Sequence, residues 1–173
     1  RGNEGLYDTF DGGSGTDTLQ FLGNGAVVLS GFNAATSSIE TLQGNGQGLF
    51  GTGEMNVFDL SALTAMTALP FIDGKGGDDI LIGSQFSDEL RGGSHDDILD
   101  GRSGNDILNG GAGDNTFVFG DGYGADTVVK FNHGIDTFDL SGVSGVSSFA
   151  DLTLTQIAPK TVLIDFDGVA GGD

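Results

Sequence analysis

Cysteine is absent from the 173 residues, so no disulfide, thiolate nucleophile or zinc–thiolate centre is available. Tryptophan is also absent, and proline occurs twice. Cations are scarce: 6 Lys and Arg stand against 25 Asp and Glu, a formal charge of −19. Nothing in that balance neutralises a line of phosphates, which argues against nucleic acid as a partner. The same repulsion excludes an anionic membrane surface. No apolar run approaches the roughly 20 residues of a membrane-spanning helix. Even among the acids one type is rare, with 21 Asp to 4 Glu. Helix surfaces favour Glu, whereas turns and oxygen-ligand sites favour Asp, so a helical bundle is disfavoured.

What is abundant is glycine: 33 residues, close to three times the ordinary share of about 7 %. Hydrophobic content is 37 %, a thin core for this length, and something besides apolar burial is expected to hold the fold. The length implies one domain or at most two small ones. The chain opens on Arg1-Gly2-Asn3 and stops at Ala170-Gly171-Gly172-Asp173, which reads as the start of another turn. A piece of a longer protein is expected.

A period of nine organises the centre. Glycine recurs at Gly74, Gly83, Gly92, Gly101 and Gly110. Five residues after each stands Asp79, Asp88, Asp97, Asp106 and then Asn115. Two further on stands Leu81, Leu90, Leu99, Leu108 and Phe117. One earlier unit, Gly12 to Gln20, has the same spacing around Asp17, and Asn3 to Asp11 is a degenerate copy.

Each nonapeptide reads as a Gly/Asp turn followed by a three-residue strand whose middle side chain points inward. Two nonapeptides close one coil, and stacked coils form two parallel sheets about 4.8 Å per step. One inward residue in nine gives roughly 2 kcal/mol. It cannot offset the ordering of nine residues at about 1–2 kcal/mol each. Stacked turn acids add repulsion. A divalent cation between turns relieves both problems, and hard oxygen donors on flexible loops favour Ca²⁺.

Gly92-Gly93-Ser94-His95-Asp96-Asp97-Ile98-Leu99-Asp100 and its neighbours resemble the glycine-rich nonapeptides of RTX (hemolysin-type calcium-binding) proteins. The resemblance covers about 74–118 and, more weakly, 3–20. Residues 119–141 resemble the segment that often closes such a roll. The resemblance implies a right-handed parallel β-roll or β-solenoid, all-β, binding roughly three to five Ca²⁺.

It also implies ligands from turns two nonapeptides apart: carbonyls of the second and fourth residues of one turn, of the first and third of the later turn, and both sixth-position acids. One site would be Lys75, Gly77 and Asp79 with Gly92, Ser94 and Asp97. Across the roll, Ser84, Phe86 and Asp88 would face Gly101, Ser103 and Asp106. A third would join Gly93, His95 and Asp97 to Gly110, Ala112 and Asn115. A fourth would join Arg102, Gly104 and Asp106 to Gly120–Asp126, with Asp126 the acid. Asn115 removes one charge. Phe86 and His95 replace the usual fourth-position Gly, and Lys75, Ser84 and Arg102 the second, which makes the turn at 83–88 the most divergent. The Asp17 turn finds no acid at the same place two nonapeptides on, where Ser30 to Ala35 stand.

Residues 1–72 are read as N-terminal solenoid coils with isolated nonapeptides, 73–126 as the calcium-binding roll and 127–173 as capping strands, in one continuous domain. Within 21–72 the apolar runs at 26–29, 38–42, 56–60 and 69–72 suggest wider coils, with a helical turn over Ser61 to Ala68. Ala158-Pro159-Lys160 reads as a hairpin turn, and Ser148 to Leu152 as one helical turn. Gly46 to Gly51 formally matches GxGxxG but lacks the flanking strand and helix of a dinucleotide site. Asp165-Phe166-Asp167-Gly168 hints at an EF-hand but lacks an acid at Leu163 and the flanking helices. His95 and His133 sit in turns, and Lys75, Arg91 and Arg102 occupy unlike repeat positions.

Three functions compete. The first is a non-enzymatic calcium module, with the remainder of a parent chain as partner. By the resemblance it leaves the cell by type I secretion, folds on extracellular calcium, and ends secreted or at the cell surface. The second is an adhesin, surface-layer or glycan-binding module on the same solenoid. The third, a β-helix polysaccharide lyase or epimerase, needs a base beside acids on one face, and six scattered cations disfavour it.

Overall fold

The computed structural model describes residues 12–146 and the backbone of two further strands. The first strands are β1 (Thr18–Gln20), β2 (Val27–Val28) and β3 (Gly31–Asn33), followed by the single-turn helix α1 (Ala34–Ser37). Then come β4 (Thr41–Gln43), β5 (Leu49–Phe50), β6 (Val57–Asp59), β7 (Ala65–Thr67), β8 (Ile72–Gly76) and β9 (Ile80–Ile82). The repeat region holds β10 (Glu89–Ser94), β11 (Ile98–Asp100), β12 (Ile107–Ala112), β13 (Thr116–Gly120) and β14 (Asp126–Val129). The chain finishes with β15 (Thr137–Gly142), β16 (Thr153–Ala158) and β17 (Thr161–Asp165).

These strands stack into a β-solenoid of three sheets, parallel except where β17 joins β14 and β16. Six strands, from β3 to β15, line one face, and the 8-stranded sheet lines the opposite face. A third sheet, β1-β4-β7, exists only in the N-terminal coils. The wider coils expected over 21–72 are therefore three-sided.

The coil step records the change. Leu90 lies beside Leu108 and Leu81 beside Leu99, each pair two nonapeptides apart. Leu19 lies beside Leu42, a longer step that leaves room for one more strand per coil. Three inward positions per wide coil bring Phe32, Leu42, Leu49 and Phe58 into the core. In the two-sided coils the inward column alternates sheets as the nonapeptide spacing requires: Leu81, Leu99 and Phe117 on one, Leu90 and Leu108 on the other, all 0 % exposed.

Two local readings change. Residues 61–68 are no helical turn; they contain β7, which pairs in register with β4 so that Met66 stands beside Leu42. The helical turn lies instead at α1. Asn33 caps it by accepting the Thr36 N–H at 2.8 Å, and Ser38 ends it in the left-handed region at φ 51°. Gly46 to Gly51 runs through a turn into β5, with no helix after it. At the far end Phe131 and Phe138 stack at 4.4 Å and Phe117 tilts onto Phe138 at 6.0 Å, closing the core. The expected hairpin is present as β16–β17. Residues 148–152 and Asp167–Gly168 lie outside the described residues, as does the copy at 3–11.

Candidate metal centre

The nonapeptide turns stack in columns, and each column is tied by one repeated hydrogen bond. The backbone N–H of each sixth-position residue donates to the side-chain Oδ1 of the sixth-position residue one coil on. Asp79 donates to Asp97 at 2.8 Å and Asp97 to Asn115 at 3.1 Å. On the other side Asp88 donates to Asp106 at 2.8 Å and Asp106 to Asp126 at 2.9 Å. All four sixth-position pairings expected from the sequence, three between acids and one of Asp97 with Asn115, are thus brought together.

The column extends beyond them. Asn56 donates to Asp79 Oδ1 at 2.7 Å, and Asn115 donates to Asp136 Oδ1 at 3.0 Å. On the third face Asp17 donates to Glu40 Oε2 at 2.8 Å. A search at fixed period misses these three residues because the steps there are 21 to 23 residues. Gly51 five residues before Asn56, and the Asp136-Thr137-Phe138 run that repeats Asp17-Thr18-Leu19, are the signals that mark two of them.

Each acid folds back over the first glycine of its own turn. A Cβ on Gly92 would lie 2.2 Å from Asp97 Oδ2, and one on Gly101 would lie 2.4 Å from Asp106 Oδ2. The glycine column is therefore steric: the space belongs to a carboxylate. Carbonyls of the second and fourth residues point along the stack. Lys75 O lies 2.3 Å from a Cβ built on Gly93, His95 O 2.1 Å from one on Gly113, Phe86 O 2.6 Å from one on Gly104, and Gly104 O 1.9 Å from one on Gly124. Gly92 O and Gly101 O face Gly74 and Gly83 in the same way. Ser94 and Ala112 align in register on β10 and β12, Gly77 packs on the Glu54–Met55 backbone, and Ser103 lies in its turn between Arg102 and Gly104.

The turns are not equivalent. Lys75, His95 and Arg102 take positive φ of 79°, 81° and 66°, so three non-glycines adopt the left-handed shape that the turn demands. Ser84 and Phe86 do not. There, Ser84 donates both its N–H, at 2.7 Å, and its hydroxyl, at 2.9 Å, to Asp88 Oδ2. Asn132 N–H likewise donates to Asp136 Oδ2 at 2.7 Å, and Thr52 N–H to Asn56 Oδ1 at 2.7 Å.

The remaining acids have no such partner. Oδ2 of Asp79, Asp97, Asp106 and Asp126 is sealed from solvent and accepts no hydrogen bond. Each of these residues is at most 1 % exposed. Burial pushes Asp79 up to about 6, Asp97 and Asp126 to about 7 and Asp106 to about 8. Backbone N–H donors oppose each shift, and neighbouring acids add to that of Asp79, Asp97 and Asp106. No Lys or Arg pairs with them among the described residues; the ion pairs there are Lys75–Asp73, Arg91–Glu89 and Arg102–Asp100. Buried carboxylates without a protein counter-charge, beside backbone carbonyls, form an oxygen-only donor set, and a Ca²⁺ fits it.

Two side chains read as scattered lie over one aromatic pair. Lys75 lies 4.3 Å from the Phe50 ring centre and Arg91 3.8 Å from that of Phe71, and the two rings contact edge-on at 5.4 Å. His95 and His133 are exposed turn residues.

Stacked parallel coils whose repeat turns bury Asp79, Asp88, Asp97, Asp106 and Asp126 form a repeat solenoid with an oxygen-rich donor set at its turns. The model of the RTX calcium-binding nonapeptide repeat matches the chain in 4 copies, over residues 8–20, 73–108 and 92–125. Over these residues the chain carries repeats of the RTX calcium-binding nonapeptide type, whose ion is calcium. The curated proteins and solved structures compared with it contain no match.

Proposed function

We propose that this chain is a non-enzymatic module whose folding is completed by extracellular calcium. The observation that carries the reading is the set of sealed, unpartnered Oδ2 atoms at Asp79, Asp97, Asp106 and Asp126. A buried carboxylate without partner or counter-ion destabilises the folded chain. Calcium, when bound, supplies the positive charge that these oxygens lack. Metal affinity then becomes folding free energy. At −19 the metal-free chain repels itself and stays expanded and soluble.

Three sites have both left-handed turns and unpartnered acids. They are Lys75, Gly77 and Asp79 with Gly92, Ser94 and Asp97; Gly93, His95 and Asp97 with Gly110, Ala112 and Asn115; and Arg102, Gly104 and Asp106 with the segment ending in Asp126. The site of Ser84, Phe86 and Asp88 with Gly101, Ser103 and Asp106 is the weakest, since Ser84 already satisfies Asp88 Oδ2. The domain plan is one solenoid: wide coils over 1–72, the calcium roll over 73–126 and a cap over 127–173. Millimolar calcium lies outside cells, so the module suits a protein exported unfolded by a type I system to the exterior or cell surface, and it folds there beside the rest of its parent chain.

The test is far-UV circular dichroism of the EGTA-stripped chain during addition of CaCl₂. A transition to β structure between about 0.1 and 10 mM, absent with Mg²⁺, is expected. A spectrum rich in β structure and unmoved by calcium contradicts it. That outcome favours an adhesin, surface-layer or glycan-binding module, for which the Phe50–Phe71 rings with Lys75 and Arg91 are the supporting feature.

A further inference from the structure

In the roll, Lys75, Ser84 and Arg102 stand at the second position of their turns, where glycine is usual. Lys75 at φ 79° and Arg102 at φ 66° take the left-handed shape, and Ser84 does not. A side chain resists that shape, because its Cβ crowds the neighbouring carbonyl oxygen. What separates the two from the third is the residue two places earlier. It is Asp73 before Lys75 and Asp100 before Arg102, but Ile82 before Ser84. Where the second residue is glycine, as at Gly93 and Gly111, the same place holds Arg91 and Asn109, and the left-handed shape needs no acid.

Each of the two acids grips its turn twice. Asp73 Oδ1 accepts the Lys75 N–H at 3.0 Å, and Oδ2 accepts from the Lys75 ammonium at 2.9 Å. Asp100 Oδ1 accepts the Arg102 N–H at 3.1 Å, and Oδ2 lies 3.1 Å from Arg102 Nε. The Asp73 and Asp100 side chains are only 16 % and 11 % exposed, whereas Lys75 and Arg102 stay near half exposed, so the acid is the anchored partner. Asp100 is also bonded by the Tyr123 side chain. The N–H bond alone does not set the backbone: Ser61 and Ser141 donate theirs to Asp59 and Asp139 at 3.0 Å and 2.9 Å without a positive φ. The contact from a cationic head to Oδ2 is what Lys75 and Arg102 add. Ser84 instead gives its N–H to Asp88 at 2.7 Å.

We propose that Asp73 and Asp100 are positioning residues: each holds a turn residue other than glycine in the left-handed shape that aims its carbonyl at a calcium ion. Lys75 O points along the stack, 2.3 Å from a Cβ built on Gly93. Each acid acts through the residue two places on and does not itself bind the ion. The proposal rests on the reading that these turns hold calcium.

Removing the side chain that must be held should remove the need for the acid. The calcium midpoint of folding is read by circular dichroism on the full chain for the wild type, Asp100→Ala, Arg102→Gly and the double variant, and for the matching set at Asp73 and Lys75. Asp100→Ala is expected to raise the midpoint roughly fivefold beside Arg102, and by less than about twofold beside Arg102→Gly. If Asp100→Ala does not fold at any calcium level, the double variant is expected to fold, and a double variant that also fails overturns the proposal. Equal shifts in both backgrounds overturn it, because an acid that binds the ion directly or braces the strand is not relieved by glycine. No shift beside Arg102 overturns it as well. A wild type that does not respond to calcium overturns the calcium reading and this one together, whereas a responding wild type with equal shifts overturns this one alone.

Discussion

Asp79 and Asp97 are held together by one hydrogen bond that leaves one oxygen of each free. The Asp79 N–H donates to Asp97 Oδ1 at 2.8 Å, and neither Oδ2 has a partner. The bond fixes the spacing of the turns while placing two like charges one coil apart. On the proposed reading, a counter-charge between these turns stabilises the fold here.

Unequal acids should respond unequally to loss of charge. Asp97 stands between two proposed sites and has an unpartnered Oδ2, whereas Ser84 satisfies Asp88. Asp97→Asn should raise the calcium midpoint of folding roughly tenfold, about 1.4 kcal/mol. Asp88→Asn should shift it by less than a third of that. Calcium titrations of both variants, followed by circular dichroism, check the order. Equal shifts would contradict the account.

Asn115 is the one neutral member between Asp97 and Asp136 in its column. Asn115→Asp restores a charge to the site below it and removes the Asn115 Nδ2 donor that lies 3.2 Å from Asp136. The calcium midpoint should fall roughly threefold, on the principle that ligand charge sets affinity. Without calcium the variant should be less stable than wild type. Urea unfolding with and without calcium separates the two effects, and a loss of stability in both conditions would count against the assignment.

Acid should substitute in part for calcium. Asp79, Asp97, Asp126 and Asp106 titrate near 6 to 8 in the folded chain, against about 3.9 when unfolded. A raised carboxyl pKa means that the folded state binds the proton more tightly. Its stabilising contribution is full below about pH 4 and is lost as pH rises through 6 to 8. The metal-free chain should gain β structure on acidification from pH 8 to 5, and saturating calcium should flatten that dependence. Circular dichroism against pH at both calcium levels checks it; metal-free β structure that instead grows with pH would contradict the sign.

Much of this was legible in the residues. Three columns at period nine specify the two-sided coils, their inward Leu and Phe, and the pairings Asp79–Asp97, Asp88–Asp106 and Asp97–Asn115, because stacking turns local spacing into spatial contact. The period carried no information where the coil widened. Glu40, Asn56 and Asp136 pair across 21 to 23 residues, set by how many inward strands a coil must fit. β7 was hidden for the same reason: Met66 turns inward only because Leu42 lies beside it. The difference between Ser84 and Lys75 was legible as a departure from glycine, but not its form. Lys75 accepts a positive φ, whereas Ser84 avoids it and supplies a hydroxyl instead.

The most direct measurement is hydrogen exchange at the rung amides of Asp79, Asp97 and Asp106, with EGTA and with calcium. If calcium completes the fold, these amides exchange at least about 100-fold more slowly with calcium, equivalent to some 2.7 kcal/mol of local stability. Equal, strong protection in both conditions would mean that the rungs stand without the ion, and would contradict calcium-driven folding of the roll.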